Sequence, residues 1–116
     1  MVAVAPSDTP FLDAWIYYRL ARAVEVSDAD VAVPVWGNGL IEPLVMVCRR
    51  DRLLSMLRTR EFRRVRDLVS AARHTYVRFN EVGAPPEIMF FNVNTQSDLA
   101  LAEKIAAGLL AVKRRA

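Results

Sequence analysis

Short apolar runs alternate along this chain with segments whose apolar residues recur every three or four positions. The runs predict β-strands at residues 2–5, 31–35, 40–48, 75–79 and 88–91, the third of them interrupted at positions 42 and 43. The helical spacing predicts helices at residues 10–24, 51–58 and 61–72, and a last helix that follows a capping sequence at 95–98. Strands that alternate with helices in this way predict the α/β class, with a mixed sheet and flanking helices.

Polar residues follow two of the predicted strands, each directly before a helix. Asp8 follows the first strand, and Asn92 and Asn94 follow the last one. If both strands are parallel in one sheet, these side chains meet at the edge where open α/β sheets bind ligands. A carboxylate there suits Mg²⁺, which takes one or two carboxylates together with nucleotide phosphates. Two amides on one side of a strand tip suit ribose or phosphate oxygens.

Each of these residues also has an ordinary structural use. Asp is among the preferred helix caps, so Asp8 or Thr9 is expected to cap a helix whose first residue is Pro10. Asparagine favours turns and caps in the same way. From the residues alone both uses stay open, and the cap is the favoured use of Asp8.

Composition narrows the class of protein without identifying it. The 116 residues are 53% hydrophobic and 25% charged, which suits a single small domain or part of a larger one. No apolar run is long enough to span a bilayer and no signal peptide is visible, so we expect a cytoplasmic protein without membrane or nucleic-acid partners. The single cysteine, Cys48, lies in an apolar run and is expected to be a buried, inert thiol.

The basic charge is concentrated in one segment. The net charge is +3, from 16 basic and 13 acidic residues, yet eight arginines fall between Arg49 and Arg66. Arginine recognises phosphate and carboxylate through a rigid fork of donors, so a phosphate-rich ligand is plausible. A solvated helix face is the better explanation for most of these arginines.

Four segments, in order along the chain, resemble the molybdenum cofactor guanylyltransferase family. The segment at 90–99, Phe-Phe-Asn-Val-Asn-Thr-Gln-Ser-Asp-Leu, is the most specific and is similar to a signature near the carboxyl end of those enzymes. The segment at 6–12, Pro-Ser-Asp-Thr-Pro-Phe-Leu, resembles the Asp-x-Pro segment of the family. Residues 41–44 and the Arg-Arg-Val-Arg-Asp-Leu sequence at 63–68 match two further family segments.

The resemblance implies a Rossmann-like nucleotidyltransferase that transfers GMP from GTP to molybdopterin bound to molybdenum. It implies that Asp8 is the catalytic residue and the metal ligand, holding Mg²⁺ and a nucleotide phosphate. It further implies that Asn92 and Asn94 bind substrate or nucleotide, and that Arg63 or Arg64 contacts the phosphate on the pterin side. Archaeal cobinamide-phosphate guanylyltransferases end in a similar segment, so the acceptor stays open at this point.

One part of the family pattern is missing from residues 1–116. Family members begin with a strand and a glycine-rich loop whose backbone amides cradle phosphates. The four glycines here, at 37, 39, 83 and 108, form no such loop. The resemblance therefore implies that residues 1–116 correspond to the C-terminal half of a domain, inactive in isolation. Another chain would supply the amino-terminal half, or the half-domain would be a non-catalytic binding module that pairs through its sheet edge or forms a homodimer.

Overall fold

The computed structural model of the chain describes residues 1–78 and 86–115, which form alternating strands and helices. The strands are β1 (Val2–Val4), β2 (Val31–Val35), β3 (Met46–Cys48) and β4 (His74–Arg78). The helices are α1 (Ala14–Ser27), α2 (Arg50–Thr59), α3 (Val65–Ala71), α4 (Pro86–Met89) and α5 (Gln96–Arg115). The predicted α/β class is confirmed.

The four strands form one mixed sheet in the order β1-β3-β2-β4. The central strand β3 is antiparallel to both of its neighbours, while β2 and β4 are parallel. Strands β1, β2 and β4 therefore all run in the same direction. Their carboxyl ends lie along one side of the sheet, which we call the carboxyl edge.

Helices cover both faces of the sheet, because the strands alternate apolar side chains between them. One core lies under α1 and α4; it consists of Ile16, Leu20, Val24, Ala32, Val45, Val47, Val77, Met89 and Phe90. The other core lies under α2 and α3; it consists of Val31, Val33, Met46, Cys48, Leu53, Leu68, Val69 and Ala72. The two cores lie on opposite faces of the sheet and make a three-layer sandwich.

Cys48 belongs to the second core, as the sequence predicts. Its side chain is buried, and this burial raises the pKa of the thiol above its ordinary value. A raised pKa keeps the sulfur protonated at neutral pH, and the thiolate is the nucleophilic form. The thiol is therefore an inert part of the core.

The first predicted strand lies in a different environment from the one expected. The pattern predicts a buried strand, but β1 is the edge strand of the sheet and 39% of Val2 is exposed. The Tyr17 hydroxyl donates a hydrogen bond to the Val4 carbonyl at 2.9 Å and ties β1 to α1. Among residues 1–78 and 86–115, no strand pairs with the outer side of β1.

The last predicted strand is wrong. Residues 88–91 do not extend the sheet, because 86–89 form the short helix α4 and Phe90 lies in a turn. Met89 and Phe90 are buried in the first core, so the apolar run is correctly placed inside the protein. A four-residue apolar run does not distinguish strand from helix, and proline is favoured at the first position of a helix.

Two helix starts also differ from the prediction. The first helix begins at Ala14 and not at residue 10, while α3 begins at Val65 and not at 61. The helix α2 ends at Thr59 and Arg60 is extended, so α2 and α3 are separate helices, as predicted. Residues 79–85, which include the end of one predicted strand, lie outside the described residues.

No helix within the described ranges combines the length and the apolar character needed to cross a bilayer.

Candidate active site at the carboxyl edge of the sheet

The loop that follows β1 presents Asp8 at the carboxyl edge. Residues 7 and 8 form a turn, and the Thr9 hydroxyl donates a hydrogen bond to the Pro6 carbonyl at 3.3 Å. Thr9 is buried, with only 8% of its surface exposed. This hydrogen bond stabilises the turn, in which the Asp8 side chain is half-buried.

The Asp8 carboxylate does not cap a helix, and Thr9 does not do so either. The N-cap of α1 is Asp13, whose carboxylate accepts a hydrogen bond from the Ile16 N–H at 3.2 Å. The interpretation of Asp8 or Thr9 as the cap is therefore wrong. Within residues 1–78 and 86–115, the Asp8 side chain has no hydrogen bond or ion pair, and its carboxylate oxygens remain available to a ligand.

Replacing Asp13 and Asp8 separately with alanine distinguishes an aspartate that caps a helix from one that makes no structural hydrogen bond. Asp13→Ala is expected to lower the free energy of unfolding by about 1 kcal/mol, the usual cost of removing a cap. Asp8→Ala is expected to change it by less than about 0.5 kcal/mol, because no structural bond is lost. Urea unfolding followed by circular dichroism measures both values. A larger loss for Asp8→Ala would show that this carboxylate stabilises the fold.

A second loop lies directly against the Asp8 turn. The Val93 N–H donates a hydrogen bond to the Asp8 carbonyl at 2.8 Å. The sequence predicts that these two segments meet at one edge, and they do. The contact joins two loops, however, and not two parallel strand ends, because residues 88–91 form no strand.

The second loop is held at the start of α5 by a capping box, as the sequence predicts. The Asp98 carboxylate accepts hydrogen bonds from the N–H groups of Asn94 and Thr95, at 3.1 and 3.2 Å. The Thr95 hydroxyl accepts one in return from the Asp98 N–H at 3.1 Å. These reciprocal bonds satisfy backbone donors that a helix start leaves without partners. They also fix the backbone beside Asp8.

The two loops and α5 enclose a pocket of about 680 Å³. One wall carries Ser7, Asp8 and Phe11, and the facing wall carries Val93 and part of α5. Most of the lining is apolar, and its carboxylates are Asp8 and Glu103. The sequence singled out Asp8 but missed the α5 wall, although Ala102 and Ala106 share a face with Leu99 at helical spacing.

Asn92 and Asn94 lie beside this pocket but do not line it. They flank Val93, and both are exposed. Because residues 91–94 are irregular and not a strand, the predicted alternation that puts both amides on one side does not apply. What they share is that each is next in sequence to Val93, whose N–H forms the hydrogen bond to the Asp8 carbonyl; we call this bond the Val93–Asp8 bridge.

The two candidate arginines lie elsewhere. Arg63 lines a separate pocket of about 530 Å³ together with Arg60 and Asp67, and Arg64 is the exposed N-cap residue of α3. This connection between α2 and α3 lies on the face of the sheet opposite α1. The structure therefore does not bring Arg63 or Arg64 into the Asp8 pocket.

Other arginines of the basic segment make structural contacts. The Arg49 side chain donates to the Ala29 carbonyl at 3.2 Å, and Arg50 pairs with Asp51 at 3.0 Å. The Arg60 guanidinium lies 4.9 Å from the centre of the Phe62 ring. These contacts agree with the expectation that most of the segment is an ordinary solvated surface.

The donor set at the pocket fits Mg²⁺ bound mainly through a ligand and water. In the described ranges, no three His, Cys, Asp or Glu side chains are placed to hold a metal by themselves. Mg²⁺ is usually bound through one or two carboxylates plus substrate phosphates, rather than by a cage of protein ligands. Asp8, half-buried and without a partner in the described structure, supplies such a carboxylate.

Comparison with known proteins places this site in context. A family model described as the MobA-like NTP transferase domain matches residues 1–79. The molybdenum cofactor guanylyltransferase of Cupriavidus pinatubonensis is 32% identical over 109 residues, covering 88% of this chain and 52% of its own. The enzyme of the same name from Bradyrhizobium is 34% identical over 110 residues, covering 92% and 50%. The chain spans about half the length of the curated relatives it matches.

A solved structure shows the same fold. The crystal structure of molybdopterin-guanine dinucleotide biosynthesis protein A from Archaeoglobus fulgidus matches with a TM-score of 0.74 at 24% identity. The match covers 91% of this chain and 55% of that one. Both bacterial relatives are named molybdenum cofactor guanylyltransferase. The alternatives of a cobinamide-phosphate guanylyltransferase and of a non-catalytic binding module are therefore not favoured.

Proposed function

The chain belongs to the MobA-like NTP transferase domain family, and on that premise we propose that it forms part of a guanylyltransferase of molybdenum cofactor biosynthesis. The reaction proposed is transfer of GMP from GTP to molybdopterin, with release of pyrophosphate. Relatives named molybdenum cofactor guanylyltransferase support this substrate pair. The observation that carries the proposal is the Asp8 carboxylate, which caps no helix and lies in a pocket at the carboxyl edge.

In this proposal Asp8 binds the metal and positions the nucleotide phosphates. A bound Mg²⁺ would supply neutralising charge as the phosphoryl group is transferred. The terminal phosphate of the acceptor attacks the α-phosphorus of GTP in line, and the bond to pyrophosphate breaks. The chain contributes by holding the reacting groups in place and by stabilising charge, which are the main sources of catalysis in such transfers.

The other candidate residues have narrower proposed roles. Asn92 and Asn94 would bind substrate or nucleotide at the rim of the Asp8 pocket, where the Val93–Asp8 bridge fixes their backbone. The contact of Arg63 or Arg64 with the phosphate on the pterin side stays a prediction from the resemblance alone, since both residues lie outside the Asp8 pocket. Residues 1–116 contain no glycine-rich phosphate loop, so we propose that turnover requires one from another polypeptide segment.

Nuclear magnetic resonance of the ¹⁵N-labelled chain tests the nucleotide site directly. Adding GTP with Mg²⁺ is expected to shift the amide signals of residues 7–11 and 92–95, because these two loops border the pocket. GTP with a chelator is the control and is expected to produce smaller shifts. Shifts confined to residues 60–67, or none at millimolar GTP, would contradict the assignment of the site.

An assay of pyrophosphate release tests the second part of the proposal. The isolated chain, mixed with GTP, Mg²⁺ and molybdopterin, is expected to release no pyrophosphate above the rate without protein. Release that disappears on Asp8→Ala would show that the chain is catalytically complete without a glycine-rich loop.

A further inference from the structure

One face of helix α1 carries large side chains that the core leaves exposed. Trp15, Tyr18 and Val26 are 50%, 54% and 76% exposed, and Arg22 lies between them in sequence and is exposed as well. Their spacing of three, four and four residues puts these side chains on one stripe of the helix. The buried residues of α1 lie on its opposite side, against the sheet. The stripe, at positions 15, 18, 22 and 26, is therefore the outward surface of α1.

The stripe borders a groove between α1 and the edge strand β4. The groove has a volume of about 440 Å³, and Val77 of β4 lines it together with the stripe. At one end the rings of Trp15 and Tyr18 are stacked, with centroids 5.2 Å apart and planes inclined by 18°. Among the described residues, none lines both this groove and the Asp8 pocket. The α1 groove is therefore a surface separate from the candidate active site.

The two halves of the stripe have different and complementary chemistry. The first half consists of the two stacked rings, and the second consists of the Arg22 guanidinium and the aliphatic Val26. A guanidinium is attracted to the face of an aromatic ring, which carries negative charge density. Arg22 pairs with Glu25 at 3.6 Å, but both side chains are more than half exposed, and such a pair contributes little. The second half of the stripe is therefore suited to pack against a copy of the first.

We propose that the α1 groove is the contact surface of a symmetric dimer, in which two copies of α1 pack antiparallel. A two-fold axis at the level of position 20, midway between Tyr18 and Arg22, places each Tyr18 opposite the partner's Arg22. The same axis brings Trp15 opposite the partner's Val26, to within one residue's rise of about 1.5 Å along the helix. A two-fold contact uses the same surface twice and must therefore be self-complementary.

The order of the side chains favours a second copy over a different protein as the occupant. A different partner could use the rings or the guanidinium alone, and would set no relation between their positions. The stripe instead carries rings in its first half and the cation in its second, at equal distances from position 20 for Tyr18 and Arg22. The helix is 14 residues long, so the contact is small and a dissociation constant in the micromolar range is expected.

Sedimentation velocity of the 116-residue chain tests the dimer. Between about 1 and 300 µM, the average mass is expected to rise from that of one chain toward that of two, as for a small interface. Tyr18→Arg is expected to weaken association about tenfold or more, because it places a guanidinium opposite the partner's Arg22 at two symmetric positions. Leu57→Arg is the matched control, since Leu57 is 50% exposed on α2, across the sheet, and is expected to leave association unchanged.

Exchanging the two side chains tests the antiparallel register itself. The double variant Tyr18→Arg with Arg22→Tyr swaps ring and cation, and in the proposed register it restores both contacts. We expect this variant to associate as tightly as the unaltered chain. An equimolar mixture of the two single variants is also expected to form a mixed dimer, since one chain then supplies both guanidinium groups and the other both rings. Circular dichroism of each variant checks that α1 and the fold are retained.

Three results would overturn the proposal. The unaltered chain could remain a single chain at the highest concentration. Tyr18→Arg could leave association unchanged, or could weaken it no more than Leu57→Arg does, and the contact would then lie on another surface. Neither the double variant nor the mixture could restore association, which would exclude the antiparallel register. The samples contain no GTP or molybdopterin, so this outcome is independent of the proposed function.

Discussion

Replacing Asp8 with asparagine is expected to weaken Mg²⁺-dependent binding of GTP on the order of 100-fold. The change keeps the shape of the side chain but removes the charge that attracts the metal. Removing one partner of a charge pair at a binding contact costs about 2–5 kcal/mol, and each 1.4 kcal/mol corresponds to about a factor of ten. Isothermal titration with GTP, in the presence of Mg²⁺ and then of chelator, measures the effect.

Asp13→Asn is the matched control for this prediction. It removes the same charge five residues away, while asparagine caps a helix as well as aspartate does. The Asp13 variant is expected to bind GTP as the unaltered chain does and to keep its stability. Equal losses in the two variants would mean that general negative charge, and not a ligand at Asp8, supports binding.

Leu20→Ala is expected to lower the free energy of unfolding by about 2–5 kcal/mol. Leu20 is fully buried in the core between α1 and the sheet. Its removal loses apolar contact and leaves a cavity that close-packed neighbours fill only in part. A typical small domain has about 5–15 kcal/mol of stability, so the variant would lose a large share of it. Urea unfolding measures the change.

Leu101→Ala removes the same atoms from an exposed position. Leu101 lies on α5 with 49% of its surface exposed, so its truncation is expected to cost less than about 0.5 kcal/mol. Similar losses at positions 20 and 101 would show that the core under α1 is not the main source of stability. The comparison holds residue type and helical setting constant and varies burial.

Much of the fold was predictable because burial leaves a strong periodic signal. Ile16, Leu20 and Val24 recur at helical spacing and are all fully buried on one face of α1. The start of that helix was not predictable from periodicity, since Asp8, Thr9 and Asp13 are all acceptable caps. In the structure Asp13 caps the helix, while Thr9 hydrogen-bonds to the Pro6 carbonyl in the preceding turn.

The candidate site was predicted in part, for a similar reason. The sequence placed Asp8 and the 92–95 segment together, and the Val93–Asp8 hydrogen bond confirms that they meet. It placed Arg63 and Arg64 with them only by resemblance, and the structure puts both on another surface. Contacts between distant segments depend on topology, which local patterns do not encode. The pocket wall on α5 escaped prediction because its alanines carry no chemical signal.

The bridge between the two loops has a consequence for how such a site changes over evolution. It joins main-chain atoms of Val93 and Asp8, so neither position needs a particular side chain to maintain it. Side chains at 8, 92 and 94 can therefore change while the two loops stay in register. A main-chain frame of this kind lets the side chains around a pocket vary without rebuilding the fold.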